Sequence, residues 1–212
     1  MNDEEKIVET FHKLYYEGYA AGKTWADTYW LGVRTLKCPL DLWIYQEIIF
    51  DVKPDVIIES GTAYGGSALF LASICDLVNN GEVITIDIAK NLRPSHPRIK
   101  QLLGSSTSEE TVRTVGSLIN GKGAVLVILD SDHHKEHVLD ELRTYSTLVT
   151  KGSYLIVEDT NINGHPVVPE FGPGPMEAVE EFLKENDDFV VDNTREKLLL
   201  TMNPRGYLRK IN

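Results

Sequence analysis

Two short stretches crowd carboxylates beside residues that move protons: "VLVILDSDHHKEHV", residues 125–138, and "YLIVEDTNINGH", residues 154–165. Each begins as an apolar run of strand length and turns acidic at its end, at Asp130 and Asp132 in the first and at Glu158 and Asp159 in the second. Parallel strands put their carboxyl ends on one side of a sheet, so these acids are expected to share one edge. Carboxylates packed so closely repel one another and hold raised pKa values unless a cation neutralises them. An all-oxygen donor set favours Mg²⁺, with Mn²⁺ or Ca²⁺ as substitutes, over zinc. Such an ion can hold two vicinal oxygens of a substrate and lower the pKa of the hydroxyl it binds.

His133, His134 and His137 follow at once. The spacing of His133 and His137 resembles HExxH, but His134 stands where the glutamate would be, which argues against a zinc site. Beside the acids, His133 is the candidate general base, or the residue that orients one, because an unperturbed imidazole titrates near neutrality. Asp130 is the other catalytic candidate. His137 reads as a helix-packing residue, and His12 and His96, with no motif around them, read as surface. The segment "NINGHPVVPEFGPGP", residues 161–175, reads either as a lid bringing Asn163 or His165 to an acceptor, or as an ordered loop against a neighbouring subunit.

A third stretch, "DVIIESGTAYGGSALFLA", residues 55–72, has the form strand, glycine turn, helix. Gly61, Gly65 and Gly66 free the backbone for a tight turn and a close ligand approach, and Thr62 and Ser67 add hydroxyls beside the free N–H groups of the helix start. The spacing is GxxxGG, not the GxGxxG that makes room for a pyrophosphate, which weakens a nicotinamide-dinucleotide reading. Glu59 would repel a phosphate and attract an amino group. Asp87, ending "EVITIDIA", is placed to accept hydrogen bonds from both hydroxyls of a ribose. Ser105 and Ser106, in "GSSTSEE", are candidates for the adenine side. A nucleoside with a cationic, amino-acid-like tail and no pyrophosphate meets these demands, and S-adenosylmethionine is such a molecule. Methyl transfer from its sulfonium is an in-line displacement, for which alignment supplies much of the acceleration.

The elements that must position these residues follow from the alternation of apolar runs with amphipathic stretches, the signature of βαβ units. Strands are expected at Val56–Glu59, Val83–Asp87, Ile99–Leu103, Val125–Asp130 and Tyr154–Glu158. Helices are expected near Ser67–Val78, Ser108–Ile119, Lys135–Val149 and Met176–Glu185. At the end, "DFVVDN" and "LLLTMNPRGYLRKI" read as two strands joined by a polar turn, an antiparallel hairpin closing a mostly parallel, doubly wound, Rossmann-like α/β sheet. Residues 1–50, with Trp25, Trp30 and Trp43, read as helices and a loop packed on a core formed by residues 51–212, the whole being one globular unit. Those tryptophans suit either core packing or a homo-oligomer interface.

Composition narrows the partners. A chain of 212 residues with a formal charge of −11 is poorly suited to a nucleic-acid backbone, which needs a basic face. No apolar run approaches membrane-spanning length, and the acidic start lacks the order of a secretion signal. The cysteines, Cys38 and Cys75, are too few for a disulfide framework and fit a reducing cytoplasm.

Three segments carry a resemblance. "WLGVRTLKCPLDLWIYQEIIFDVKPDVIIESGTAYGGSALFLA", "LDSDHHKEHVLDEL" and "GSYLIVEDTNINGHPV" closely resemble the cephalosporin hydroxylase family, a group of class I S-adenosylmethionine-dependent methyltransferase folds related to rhamnosyl and macrolide sugar O-methyltransferases. The likeness runs from about Trp30 to Arg209. It implies donor binding at Glu59, Gly61, Ser67 and Asp87, with Thr62, Gly66, Ser105 and Ser106 beside them. It also implies a Mg²⁺ site using one acid after the fourth core strand and the adjacent pair Glu158 and Asp159 after the fifth. Asp130 and Asp132 both remain open for the former, because both face the same way in an extended segment. The activity implied is O-methylation of a sugar or small natural-product hydroxyl. The alternatives are a nucleotide-dependent oxidoreductase or hydroxylase-associated protein, and a non-catalytic binding partner with the same fold.

Overall fold

A computed structural model describes residues 2–90 and 94–212. The chain opens with α1 (Asp3–Glu17), whose start is closed by reciprocal bonds between Asn2 and Glu5. A small antiparallel pair, β1 (Tyr29–Trp30) and β2 (Val33–Arg34), leads to α2 (Pro39–Val52), which has proline in its first turn where no N–H is needed. The core then runs β3 (Val56–Ser60), α3 (Gly66–Leu77), β4 (Glu82–Asp87), β5 (Ile99–Leu103), α4 (Glu109–Ile119), β6 (Val125–Leu129), α5 (Lys135–Tyr145), β7 (Tyr154–Val157), α6 (Pro175–Glu185), β8 (Phe189–Val191) and β9 (Tyr207–Lys210).

The seven core strands lie in the order β5-β4-β3-β6-β7-β9-β8. The first five are parallel and β9 is antiparallel to both neighbours, as the expected architecture requires. Strands β3, β6 and β7 are buried along their whole length, which is why they read as nearly unbroken Val, Ile and Leu. Alternate residues serve opposite faces: Val56 and Ile58 pack with Val138, Leu142 and Phe182, while Ile57 packs with Ile44, Ile48 and Leu71.

The C-terminal hairpin is built differently from the expectation. Its strands do pair, but residues 192–206 between them form a long excursion containing a 3₁₀ turn at Asn193–Glu196, and the run 198–200 is not strand. Leu200 and Met202 instead pack on Cys38. The cause is Asp41 of α2, which is buried and accepts hydrogen bonds from Thr201 Oγ1 (2.5 Å), the Met202 N–H (2.9 Å) and the Tyr207 hydroxyl (2.8 Å). Helix α5 also stops at Tyr145 rather than continuing to Val149.

The tryptophans divide. Trp25 stacks on Tyr19 at 5.0 Å, and Trp30 meets Phe70 edge-on at 4.9 Å while donating to Ser73, whereas Trp43 is exposed. His12 is not a surface residue: it is buried and its Nε2 meets Asn161 Nδ2 at 2.9 Å, tying α1 to the loop after β7. Burial lowers its pKa to about 4. His96 lies nearer the surface, 3.1 Å from Asp76. Among the described residues no helix is long and apolar enough to cross a membrane.

Candidate active site

Strand order reverses at β3, which has β4 on one side and β6 on the other, and the crevice beyond the carboxyl ends of such strands is where doubly wound sheets bind ligands. A cavity of about 700 Å³ lies there. Gly61 and Ser67 border it from the glycine turn, Asp87 from the end of β4, and Ser105 and Ser106 from the end of β5. Asp130, Asp132, His133 and Asp159 border it from the ends of β6 and β7, and Tyr16, Trp25 and Phe171 cover it. Glu59, Thr62, Gly66 and Glu158 do not line it. Each of these four is buried.

Two glycines of the turn are demanded by the protein's own backbone. Gly61 has φ +87°, and a Cβ there would sit 1.8 Å from the Asp130 carbonyl oxygen, so the β3 turn touches the end of β6. A Cβ at residue 66 would meet the Arg34 carbonyl oxygen at 2.3 Å, where α3 begins against the N-terminal segment. Asp87 receives the backbone N–H groups of Ala63 and Ala89, both at 2.8 Å, which ties the tip of β4 to the turn. Ile86 and Ile88 give that part of the cavity apolar walls beside polar Asp87 and Ser105, a composition suited to a nucleoside.

Below the turn, Thr85 donates to Glu59 Oε2 at 2.6 Å, and the Thr62 and Thr85 hydroxyls are 2.6 Å apart. Burial raises the Glu59 pKa, and Lys37 opposes that shift. The other oxygen, Glu59 Oε1, has no hydrogen-bond partner among the described residues. This carboxylate lies beneath the glycine turn, out of reach of the cavity, with Lys37 as the charge that opposes its neutralisation.

The acids follow the strands by one residue. Asp130 comes directly after β6, and the pair Glu158 and Asp159 directly after β7. Asp159 adopts φ +54°, a left-handed conformation that aspartate and asparagine reach more readily than other non-glycine residues, and its N–H donates to Asn203 Oδ1 at 3.1 Å. One donor atom each from Asp130, His133 and Asp159 lies within 4.8 Å of the others, and His133 Nε2 is 3.2 Å from Asp159 Oδ2. Burial raises the Asp159 pKa, with His133 opposing. The two carboxylates, Asp130 and Asp159, are the oxygen donors this space offers a divalent cation of the Mg²⁺ or Mn²⁺ kind, with the His133 imidazole beside them.

Asp132 lies apart from this group. It is half-exposed and receives the His134 N–H (2.8 Å) and ring Nδ1 (2.6 Å). The histidines therefore separate: His133 joins the acids, His134 pairs with Asp132 and lies 5.3 Å from the Phe171 ring, and His137 sits 3.1 Å from Ser131 Oγ and 3.6 Å from buried Glu141, which raises its pKa. Asn163 and His165 are held by Glu177, at 2.9 and 3.0 Å, which leaves Phe171 as the part of their loop bordering the main cavity. A second cavity, of about 620 Å³, lies between α1 and that loop and shares Tyr16.

Sequence reasoning passed over Lys37. It is 4% exposed, and its ammonium contacts both Asp130 and Glu158, the latter at 2.5 Å. Burial disfavours its charge, but Asp130, Glu158 and Glu59 outweigh burial and hold it protonated. Glu158 itself is pushed up by burial and by Asp130, with Lys37 opposing. The available signal was a lone lysine in "TLKCPLDLW", between Leu36 and Cys38.

The parallel sheet with one reversed strand and the acid-lined crevice at its switch point have the form of an S-adenosylmethionine-dependent methyltransferase, and the sequence relatives show the chain to be one. The chain belongs to the Rhamnosyl O-methyltransferase/CmcI family, whose pattern matches residues 22–211. It is 39% identical over 211 residues to the rhamnosyl O-methyltransferase of Mycobacterium leprae, covering 96% of this chain and 90% of that one. The Mycobacterium tuberculosis enzyme of the same name is 40% identical over 212 residues, with 96% and 85% covered. Among solved structures, CmcI with Mg and SAM superposes with TM-score 0.69 at 21% identity, over 87% of this chain and 77% of that one. The MycE methyltransferase with Mg, SAH and mycinamycin VI gives 0.50 at 20% identity, over 66% and 40%. These two likenesses establish the shared fold, and the family membership expected from the motifs stands on the sequence relatives.

Proposed function

We propose that this enzyme transfers the methyl group of S-adenosylmethionine to a hydroxyl of a sugar or other small hydroxylated molecule, with a divalent cation, Mg²⁺ foremost, at the acid cluster. The observation that carries the reading is that Asp130, His133 and Asp159 converge on the cavity that Gly61, Ser67 and Asp87 also border. S-adenosylmethionine supplies an electrophilic methyl, for which the neighbourhood of Glu59, Asp87, Ser105 and Ser106 is the binding region. A divalent ion would supply Lewis acidity that lowers the pKa of an acceptor hydroxyl, and Asp130 and Asp159, with the adjacent Glu158, would hold it.

His133 takes the hydroxyl proton, and Asp159, 3.2 Å from its ring, orients the imidazole and stabilises the cation it becomes. Tyr16, Trp25 and Phe171 keep water from the reacting groups and offer flat apolar surface to a sugar ring. The adjoining space between α1 and residues 164–169 gives room for the rest of the acceptor. Residues 1–50 complete the site rather than form a separate unit, and Cys38 and Cys75, both buried free thiols, suit a reducing cytoplasm. Exposed Trp43 and Phe50 on α2 offer apolar surface to a second copy of the chain.

Titration calorimetry with S-adenosylhomocysteine and Mn²⁺ on the wild type and on His133→Asn tests this reading. The variant should bind both yet lose turnover by a hundredfold or more, the usual weight of a general base at about 10²–10⁴. Failure of the wild type to bind either would overturn it.

A further inference from the structure

Lys37 forms ion pairs with the acid cluster, and it arrives from outside the sheet. Its backbone is fixed: the Lys37 N–H donates to Thr28 Oγ1 at 3.2 Å, its carbonyl receives the same hydroxyl at 3.3 Å, and the following Cys38 is packed on Leu200 and Met202. The four-carbon side chain is therefore the part free to reposition. Its ammonium bridges two carboxylates that follow different strands, Asp130 after β6 and Glu158 after β7. Without it, Asp130, Glu158 and Asp159 would face one another with no lysine or arginine paired to them among the described residues.

We propose that Lys37 is a built-in counter-ion of the metal site: in the metal-free protein its ammonium bridges Asp130 and Glu158, and a divalent cation must compete with it for those carboxylates. The proposal rests on the metal reading above. Two cations sharing one pair of carboxylates repel each other strongly where water is excluded, so the lysine weakens metal binding while allowing the empty site to stay folded. Its consequence is an exchangeable metal and an apoprotein that does not depend on metal for stability. Lys37 acts through Asp130 and Glu158 and is a positioning residue.

Mn²⁺ affinity, read by electron paramagnetic resonance of the free ion, tests the idea on wild type, Lys37→Met and Lys37→Arg. Lys37→Met should bind Mn²⁺ about tenfold more tightly or better, and its metal-free melting temperature should fall and recover on adding Mn²⁺ by more than the wild type gains. Lys37→Arg, which keeps the charge, should bind within about threefold of wild type. Equal or weaker binding by Lys37→Met would overturn the role of Lys37 while leaving the metal reading intact, whereas no binding by any of the three would overturn both. A measurement on the wild type does not depend on how the variants fold: in ¹⁵N-lysine spectra, the protected Lys37 ammonium resonance should shift or vanish as Mg²⁺ is added. A resonance unmoved at saturating Mg²⁺ would count against the proposal.

Discussion

Gly61 and Asp130 meet backbone to backbone: a Cβ at residue 61 would lie 1.8 Å from the Asp130 carbonyl oxygen. The glycine turn and Asp130 of the acid cluster are thus mechanically one object, joined where the strand order reverses. Gly61→Ala should pry the ends of β3 and β6 apart. Because the new side chain meets rigid backbone at a positive φ, we expect a loss of about 2–4 kcal/mol in urea unfolding, with donor and metal affinity falling together. Loss of one affinity with the other intact would show the two ends to be independent.

The acids differ in their surroundings although they are close in sequence. Asp130→Asn and Asp159→Asn should each weaken Mn²⁺ binding at least tenfold, in line with the loss of a direct carboxylate ligand, roughly 1.4 kcal/mol or more. Asp132→Asn should leave it within about twofold, since Asp132 is engaged with His134. Calorimetric Mn²⁺ titrations of the three variants decide this.

Asp87 ties the end of β4 to the glycine turn through the Ala63 N–H. Asp87→Ala should weaken S-adenosylhomocysteine binding about tenfold or more, through loss of a ribose contact and of the turn's anchor, while Mn²⁺ affinity stays close to wild type. Equal donor affinity in the variant, measured by calorimetry, would remove Asp87 from the donor site.

His12 makes stability depend on pH. Burial lowers its folded pKa to about 4. The unfolded chain takes up the proton near the ordinary value of roughly 6.5 and the folded chain does not, so the stabilisation is complete above that value and is lost as pH falls towards 4. The loss is on the order of 3 kcal/mol by the acid end of the window. His12→Gln should flatten the dependence of urea-unfolding free energy on pH between 6.5 and 4 relative to wild type. An unchanged slope would contradict the assignment.

Much of this arrangement was legible in the residues themselves. Strands β6 and β7 announce their ends because Val, Ile and Leu give way to acids where the backbone leaves the sheet. The choice between Asp130 and Asp132 was not legible, since extended geometry puts both on one side. The strand in fact stops at Leu129, and Asp132 turns instead to the backbone N–H of His134 at the start of α5. Lys37 and His12 escaped because their partners are 93 and 149 residues away, beyond any local pattern. The run "LLL" at 198–200 looked like strand by local hydrophobicity, and the hydrogen bonds converging on Asp41 took precedence.

The central claim is that donor and metal occupy one crevice, and paramagnetic relaxation tests it directly. With S-adenosylmethionine bound, Mn²⁺ should sharply broaden the proton resonance of the sulfonium methyl, and Asp159→Asn should abolish the effect without displacing the donor. If both ligands bind and the methyl resonance stays narrow, the two sites lie apart and the account is wrong.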